Sequence, residues 1–448
     1  MVENTPGTYM QMSTEALLAE QQRLQAAYDG YQARNLSLNM ARGKPAPNQL
    51  DLAQPLLVAL PESERPLDAS GEDTRNYGQL LGIDEARQLM ADLLEVPKEN
   101  VLIGNNASLT LMYDTVVRGL LFGQGGNTAQ IYQGRRGPLR FLCPSPGYDR
   151  HFSISASLGF DNIAIPMSAD GPDMDMVEQL VNNDPTVKGI WCVPKYANPS
   201  GITYSDAVVR RFANLSPAAA DFRIYWDNAY AVHDLYPGRG DQLLNLMQAC
   251  AEAQNPDIWF MFTSTSKISF AGSGISAMAT SLFNLAEVEK HIGVQTIGPD
   301  KVNQLRHVRW LEELGGGPGQ GLAGVYQQMQ RQAELLAPKF EMVDAVLRRD
   351  LEGLGIAEWT SPNGGYFISL AGLPGTAKRT VALAKAAGVV LTDAGATWPG
   401  GNDPADSNIR IAPSYPSLNE LELASELLTV CLRLAAVERL LADLSGEA

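Results

Sequence analysis

From about Ser13 to Tyr31, the apolar residues Leu17, Leu24, Ala27, Tyr28 and Tyr31 recur at helical spacing between polar positions, which predicts an amphipathic helix. The segment from Leu36 to Leu52 carries Gly43, Pro45 and Pro47, which break regular structure and suggest a connection between domains. The pattern then changes. Val101-Leu102-Ile103 reads as a buried strand, Gly104 to Ala107 as a turn, and Leu109, Met112, Tyr113, Val116, Val117 and Leu120 as one face of a helix. Short apolar runs follow at Phe141 to Cys143, Asn162 to Ile165, Gly189 to Val193, Ile224 to Trp226 and Trp259 to Phe262, with helical stretches between most of them. A mostly parallel α/β sheet explains such runs economically, because strands buried on both faces lose the polar alternation of half-exposed ones. Beyond Gly324, the residues Val325, Met329, Leu336, Phe340, Val343, Leu347 and Leu351 mark a long helix, expected to be interrupted near Pro338 and able to link two domains. The last hundred or so residues mix strand patterns at Gly365 to Leu370 and Ile409 to Ile411 with helices, as in a smaller α+β domain. Gln124 to Gly137, polar and Gly-rich without periodicity, reads as a surface excursion.

A length of 448 residues exceeds what one hydrophobic core usually serves and favours two domains. The formal charge of −16, from 34 Lys+Arg against 50 Asp+Glu, repels nucleic-acid phosphates and anionic lipid headgroups, so no nucleic-acid or membrane partner is expected. Cys143, Cys192, Cys250 and Cys431 lie far apart, without the spacing of a zinc site or a disulfide framework, and no metal is expected. The start Met1-Val2-Glu3-Asn4 has no basic head followed by an apolar run, and no stretch is long enough to span a bilayer. A soluble, cytoplasmic protein is the expectation.

In parallel sheets, functional groups gather at the carboxyl ends of strands. After the run Trp259 to Phe262 comes Thr263-Ser264-Thr265-Ser266-Lys267, a lysine among small hydroxyl residues that is able to form a Schiff base. Ile224-Tyr225-Trp226 ends in Asp227, with Tyr230 three residues on, and an aspartate paired with a pyridinium nitrogen makes an electron sink. Asn198-Pro199-Ser200-Gly201 follows another strand and offers an asparagine to a cofactor oxygen. Asn105-Asn106-Ala107-Ser108 sits between strand and helix, where free N–H groups and the helix dipole suit a phosphate. Arg410, in the alternating stretch Asn408 to Ile411, suits bidentate capture of a carboxylate. Each has an ordinary structural alternative: a solvated loop lysine, a strand-end aspartate beside a core tyrosine, a turn, a helix cap, an exposed strand arginine.

Taken in order along nearly the whole chain, these residues resemble the fold-type I pyridoxal-phosphate enzymes, and among them the class I aminotransferases of the aspartate type. The resemblance implies an α/β fold: a large domain over 51–334 with a mostly parallel seven-stranded sheet between helices, and a smaller α+β domain formed by both chain ends, 1–50 and 335–448. It implies pyridoxal 5'-phosphate as cofactor, with Lys267 as the catalytic Schiff-base lysine that also moves the substrate proton. Asp227 is implied as partner of the pyridine nitrogen, Tyr230 and Asn198 as partners of the cofactor phenolic oxygen, and Tyr148 as the ring stacked on the pyridine. Ala107, Ser108, Leu109 and Ser264 match the phosphate cradle. Tyr77, in Asn76-Tyr77-Gly78, resembles a tyrosine that reaches the phosphate from a neighbouring subunit, implying a homodimer with shared sites. Arg410 matches the clamp for the substrate α-carboxylate, and Gly43 a glycine of the substrate cleft.

One departure stands out: the family usually places an arginine on the phosphate a few residues after the lysine, and here Ser273-Gly274-Ile275-Ser276 contains none. N–H groups and hydroxyls, or another cation, would have to serve. Ala41-Arg42-Gly43-Lys44-Pro45 also places two cations beside the expected substrate cleft. Arg42 is the candidate reader of a second carboxylate, with Lys44 and the Arg306 and Arg309 pair as alternatives. The implied reaction is ping-pong transamination between L-aspartate and 2-oxoglutarate, giving oxaloacetate and L-glutamate; the substrates are small amino and 2-oxo acids. Aromatic, alanine or branched-chain specificity, or a C–S/β-lyase reaction, uses the same cofactor groups and stays open. A pyridoxal-phosphate-sensing transcription regulator shares the fold, but would carry a basic DNA-binding domain ahead of it.

Overall fold

The computed structural model describes residues 8–124 and 138–446, so nearly all of the polar stretch read as a surface excursion lies outside the described residues, as does Met1 to Asn4. The chain divides into two compact units, one of Pro47–Ala197 and Ile202–Ala333, the other of Met1–Ala46, Asn198–Gly201 and Glu334–Ala448. The tetrapeptide Asn198–Gly201 thus groups with the chain ends, which the boundaries drawn from the sequence do not foresee.

Among the described residues the larger unit is built on eight strands: β1 Val101–Ile103, β2 Leu139–Ser145, β3 Phe160–Ser168, β4 Gly171–Pro172, β5 Val187–Cys192, β6 Arg223–Asp227, β7 Trp259–Ser264 and β8 Ser276–Thr280. Their order across the sheet is β1-β8-β7-β6-β5-β2-β3-β4. The five central strands β7, β6, β5, β2 and β3 run parallel, while β8 runs antiparallel to both β7 and β1. The sheet therefore has one strand more than the seven expected; the extra is the two-residue β4, antiparallel to β3. Side chains alternate between two apolar layers: Ile224, Trp226 and Met261 enter one, Tyr225, Phe260 and Phe262 the other. Helices α1 (Asp84–Leu94), α4 (Lys301–Gly315) and the start of α5 (Gly321–Leu351) cover the first layer through Met90, Leu311 and Val325. Helices α2 (Ser108–Phe122) and α3 (Asp149–Ser157) cover the second through Met112 and Phe152. Cover on both faces is what makes each central strand a continuous apolar run.

Helix α5 continues through Pro338, correcting the expected interruption. A proline removes one N–H from the ladder, but here buried Leu336, Phe340, Val343 and Leu347 flank it on a packed face that keeps the helix going. In the smaller unit, β9 (Ala357–Trp359), β10 (Ile368–Gly372) and β11 (Asn408–Ile411) form an antiparallel sheet with β10 in the middle. Helices Thr14–Gln32 and Leu418–Ser445 pack against each other; the first is capped by Ser13 Oγ and the second by a reciprocal Ser417–Glu420 pair. The four cysteines are buried thiols. Among the described residues no helix is long and apolar enough to cross a membrane.

Helices α4 and α5 meet at glycines: a Cβ on Gly324 would fall onto the Leu311 carbonyl. Gly324→Ala should destabilise the protein by about 1–3 kcal/mol, the usual range for overpacking. Gly30→Ala, in an exposed helix position where a Cβ meets nothing within 4 Å, should instead stabilise it by about 0.5–1 kcal/mol. Urea denaturation midpoints moving in opposite directions would verify the pair.

Candidate active site

In the larger unit, the candidate residues cluster where the parallel strands end. Strand β6 finishes at Asp227, which is only 3% exposed. Its Oδ2 lies 3.0 Å from His151 Nε2, while Oδ1 is buried without a hydrogen-bond partner among the described residues. A buried carboxylate oxygen left unpaired is costly, and a protonated ring nitrogen is the type of group that satisfies it. His151 comes from α3 and stacks on Trp191 of β5 at 4.8 Å, with the Trp191 ring in turn stacked on Phe141 of β2 at 4.7 Å. The carboxylate is thus set by side chains from the neighbouring strands and the helix above them.

Lys267 stands in the turn directly after β7, half-buried, with its Nζ 4.8 Å from the centre of the Tyr230 ring. Burial lowers its amine pKa below the ordinary lysine value, and the negative charge of Asp227 opposes that shift without cancelling it. Tyr230 is itself buried and meets His233 edge-to-face at 5.5 Å. Burial, followed by the positive charges of Lys267 and Lys195, pushes His233 down to about 3, so it is a neutral neighbour at physiological pH.

The turn before α2 departs in detail from the simple capping alternative. Ala107 is the N-cap and makes no side-chain cap bond. The two asparagines are used elsewhere: Asn106 Oδ1 accepts the Gly274 N–H at 2.7 Å, and Asn105 Oδ1 accepts the Asp300 N–H at 3.1 Å. The first bond pins the turn to the loop after Lys267 and the second to the start of α4, and they leave the Ala107-Ser108-Leu109 end of the helix without a side-chain cap, as an anion cradle requires. Ser264, the last residue of β7, pairs its hydroxyl with Ser266 at 3.0 Å. Tyr148 precedes α3 and contacts the His151 ring edge-to-face at 4.9 Å. Tyr77 is 80% exposed. Of the other cations in this unit, Arg306 Nη2 bonds Ser273 Oγ at 2.9 Å, whereas Arg309 is exposed.

The smaller unit holds a second cluster. Arg410, buried in β11, donates from Nη1 to Asn198 Oδ1 at 3.2 Å and from Nε and Nη2 to Thr392 Oγ1 at 3.2 and 3.1 Å. Its guanidinium lies 5.0 Å from the centre of the Phe367 ring. Thr392 Oγ1 also donates to the carbonyl of Ala41 at 2.7 Å, which ties the Ala41-Arg42-Gly43 loop to the arginine. Gly43 faces the same ring: a Cβ there would run into Phe367. Arg42 is exposed, and Lys44 sits 3.9 Å from the centre of the Tyr415 ring. Asn198 thus joins the arginine cluster directly.

Sequence reasoning passed over His151, Thr392 and Phe367. His151 was accessible, being one of four histidines and three residues after Tyr148 at the start of a helix. Thr392 and Phe367 had no local pattern to mark them; both act through contacts with residues distant in sequence.

The model of the family described as aspartate amino-transferase matches residues 12–443. An aspartate aminotransferase of Corynebacterium glutamicum is 45% identical over 411 residues, 92% of each chain. A crystal structure of an aspartate transaminase from the same organism superposes with a TM-score of 0.91 at 43% identity, covering 96% of this chain and 99% of that one. An α-aminoadipate aminotransferase from Thermus thermophilus, complexed with N-(5'-phosphopyridoxyl)-L-leucine, shares the fold at a TM-score of 0.67 and 19% identity, over 97% of this chain and 96% of that one. Aminotransferases of this kind are pyridoxal-phosphate-dependent. With a family model spanning all but the two ends and a relative this similar over nine-tenths of its length, the chain is an aminotransferase and belongs to the aspartate aminotransferase family.

Proposed function

We propose that this aminotransferase carries pyridoxal 5'-phosphate on Lys267 and exchanges the amino group of L-aspartate with 2-oxoglutarate. The observation that carries the cofactor reading is Asp227 Oδ1, a buried carboxylate oxygen with no partner among the described residues, in the cluster that also holds Lys267 and Tyr230. The group fits the residues of the larger unit: Asp227 for a protonated pyridine nitrogen, Tyr230 for the phenolic oxygen, Tyr148 for the ring face, and Ser108, Ser264 and the N–H groups from Ala107 to Leu109 for the phosphate. When bound, pyridoxal phosphate supplies a carbonyl that takes the substrate nitrogen and a ring that draws electrons away from substrate Cα.

The chain's own groups do the rest. Asp227, oriented by its 3.0 Å contact with His151, would pair with the protonated ring nitrogen of the cofactor. Lys267 Nζ, lowered in basicity by burial, is the group that takes the proton from substrate Cα, and it passes a proton on more readily than an ordinary lysine would. Arg410 binds the α-carboxylate, oriented by Asn198 and Thr392 so that its planar fork needs little reorganisation. Arg42 reads the distal carboxylate of the dicarboxylic substrates; the Ala41–Thr392 bond that ties its loop to Arg410 supports the assignment. The same reading makes the enzyme a cytoplasmic homodimer in which exposed Tyr77 completes the phosphate contacts of the neighbouring site.

The purified wild-type enzyme supplied with pyridoxal phosphate should show a visible absorbance band that L-aspartate removes and 2-oxoglutarate restores. Lys267→Ala should lose that band and all turnover; a turning-over alanine variant would sink the lysine assignment. Arg42→Ala should reduce kcat/KM for L-aspartate by about tenfold to a hundredfold, the loss of one charge-assisted contact, while leaving a monocarboxylic amino acid nearly untouched. Equal loss on both substrates would remove Arg42 from specificity.

A further inference from the structure

Behind the Lys267 turn lies a group of polar side chains that neither the cofactor nor the substrate reading uses. Thr265, Ser269, His307, Gln328 and Gln332 are each no more than 1% exposed, in a layer otherwise packed with apolar residues. Polar groups so deep weaken a core unless they find partners, and here all but Gln328 Oε1, which has no hydrogen-bond partner among the described residues, take part in traceable bonds.

His307, on α4, places Nδ1 2.8 Å from the carbonyl oxygen of Asn303 and Nε2 2.8 Å from Ser269 Oγ. A carbonyl only accepts, so Nδ1 carries the hydrogen. The ring is neutral: burial pushes its pKa down to about 4, against the opposing hydrogen bond to the Asn303 carbonyl, with the neighbouring Arg306 charge adding to the fall and Asp300 opposing it. A neutral ring protonated at Nδ1 has only an acceptor at Nε2, and Ser269 must donate to it. Ser269 has a single hydroxyl hydrogen, so its contact with Thr265 Oγ1 at 3.0 Å is completed by the Thr265 hydroxyl donating. Thr265 Oγ1 in turn accepts the Ile275 N–H at 3.0 Å. The order runs one way, from the Asn303 carbonyl through His307, Ser269 and Thr265 to the loop after the lysine. On the other side of the turn, the Ile268 carbonyl accepts from Gln328 Nε2 at 3.1 Å and from Gln332 Nε2 at 3.4 Å, both on α5. Residues on each side of Lys267 are thereby held by side chains of two helices, while its own side chain projects from the turn.

We propose that His307 and Ser269 are positioning residues for Lys267, the directed chain from α4 fixing the turn that presents its amine. The inference rests on the reading of Lys267 as the reactive lysine. It predicts that breaking the chain loosens the turn, lets water reach the amine and raises its pKa back toward the ordinary value. Ser269→Ala removes one hydroxyl and little volume; His307→Leu removes the acceptor, while His307→Gln keeps an oxygen able to accept from Ser269.

The test is the pH dependence of Lys267 labelling by an amine-reactive reagent in cofactor-free protein, read by peptide mass spectrometry, beside kcat, KM and thermal midpoint of the reconstituted enzyme. Ser269→Ala and His307→Leu should raise the labelling midpoint by about half a pH unit or more. Both should lower kcat by tenfold to a hundredfold, on the order expected for misplacing a reacting group, with KM for the amino donor little changed. His307→Gln should stay near wild type. Variants that melt earlier yet keep the wild-type labelling midpoint and kcat would show a purely structural network and overturn the proposal, as would His307→Gln behaving like His307→Leu. Because labelling is read without cofactor, it is decided separately from the cofactor reading, which fails instead if wild-type protein gives no visible band with pyridoxal phosphate.

Discussion

The constraint on which the larger unit turns is the burial of one carboxylate. Asp227 ends the strand in the middle of the parallel sheet, almost without solvent, and only one of its oxygens is paired within the described residues. Such a group is tolerable when its surroundings supply hydrogen bonds and positive charge. His151 supplies the bond, and Lys267 supplies charge across the same cluster. The two electrostatic demands pull against each other: the carboxylate favours a charged lysine, while burial favours a neutral one, and burial wins. The result is an amine that gives up its proton more readily than a surface lysine, which is the condition for acting as both a nucleophile and a base.

That balance depends on rigidity. A lysine side chain has four rotatable bonds and reaches solvent easily, so a lowered pKa survives only if the backbone below it cannot shift. The architecture provides this by placing the turn between the end of β7 and the reversed strand β8, whose first residue donates its N–H to the Asn105 carbonyl at 2.8 Å. The antiparallel entry of β8 follows from the short connection: the dozen residues or more of a crossover that a parallel return needs are absent between Ser264 and Ser276. The turn before α2, the lysine turn and the sheet edge at β1 and β8 are consequently one hydrogen-bonded assembly.

Much of this was legible from the amino-acid order. Strands buried on both faces announce themselves as continuous runs such as Ile224 to Trp226, and Ser108–Phe122 follows from its apolar spacing. Strand β8 escaped because Ser276-Ala277-Met278-Ala279-Thr280 is mostly small residues with little strand propensity; its neighbours β7 and β1 impose the conformation. The expected break at Pro338 failed for the related reason that packing on both sides outweighed a local rule. Lys267, Asp227, Tyr230 and Arg410 were visible as residue types at strand ends and in the alternating C-terminal strand. The residues that orient them were not, since His151, Thr392, Ser269 and His307 are unremarkable polar letters until the fold brings their partners from 18 to 76 positions away.

The arginine cluster of the smaller unit illustrates why orientation matters as much as charge. Arg410 uses three of its nitrogens on Asn198 and Thr392, with its guanidinium over the Phe367 ring. A lysine would bring the same charge but not the planar fork, and would abandon the hydroxyl that also fastens the Ala41 carbonyl. Thr392 is therefore the element that couples Arg410 to the loop bearing Arg42: one hydroxyl accepts from the guanidinium and donates to the Ala41 carbonyl, so displacing either partner disturbs the other.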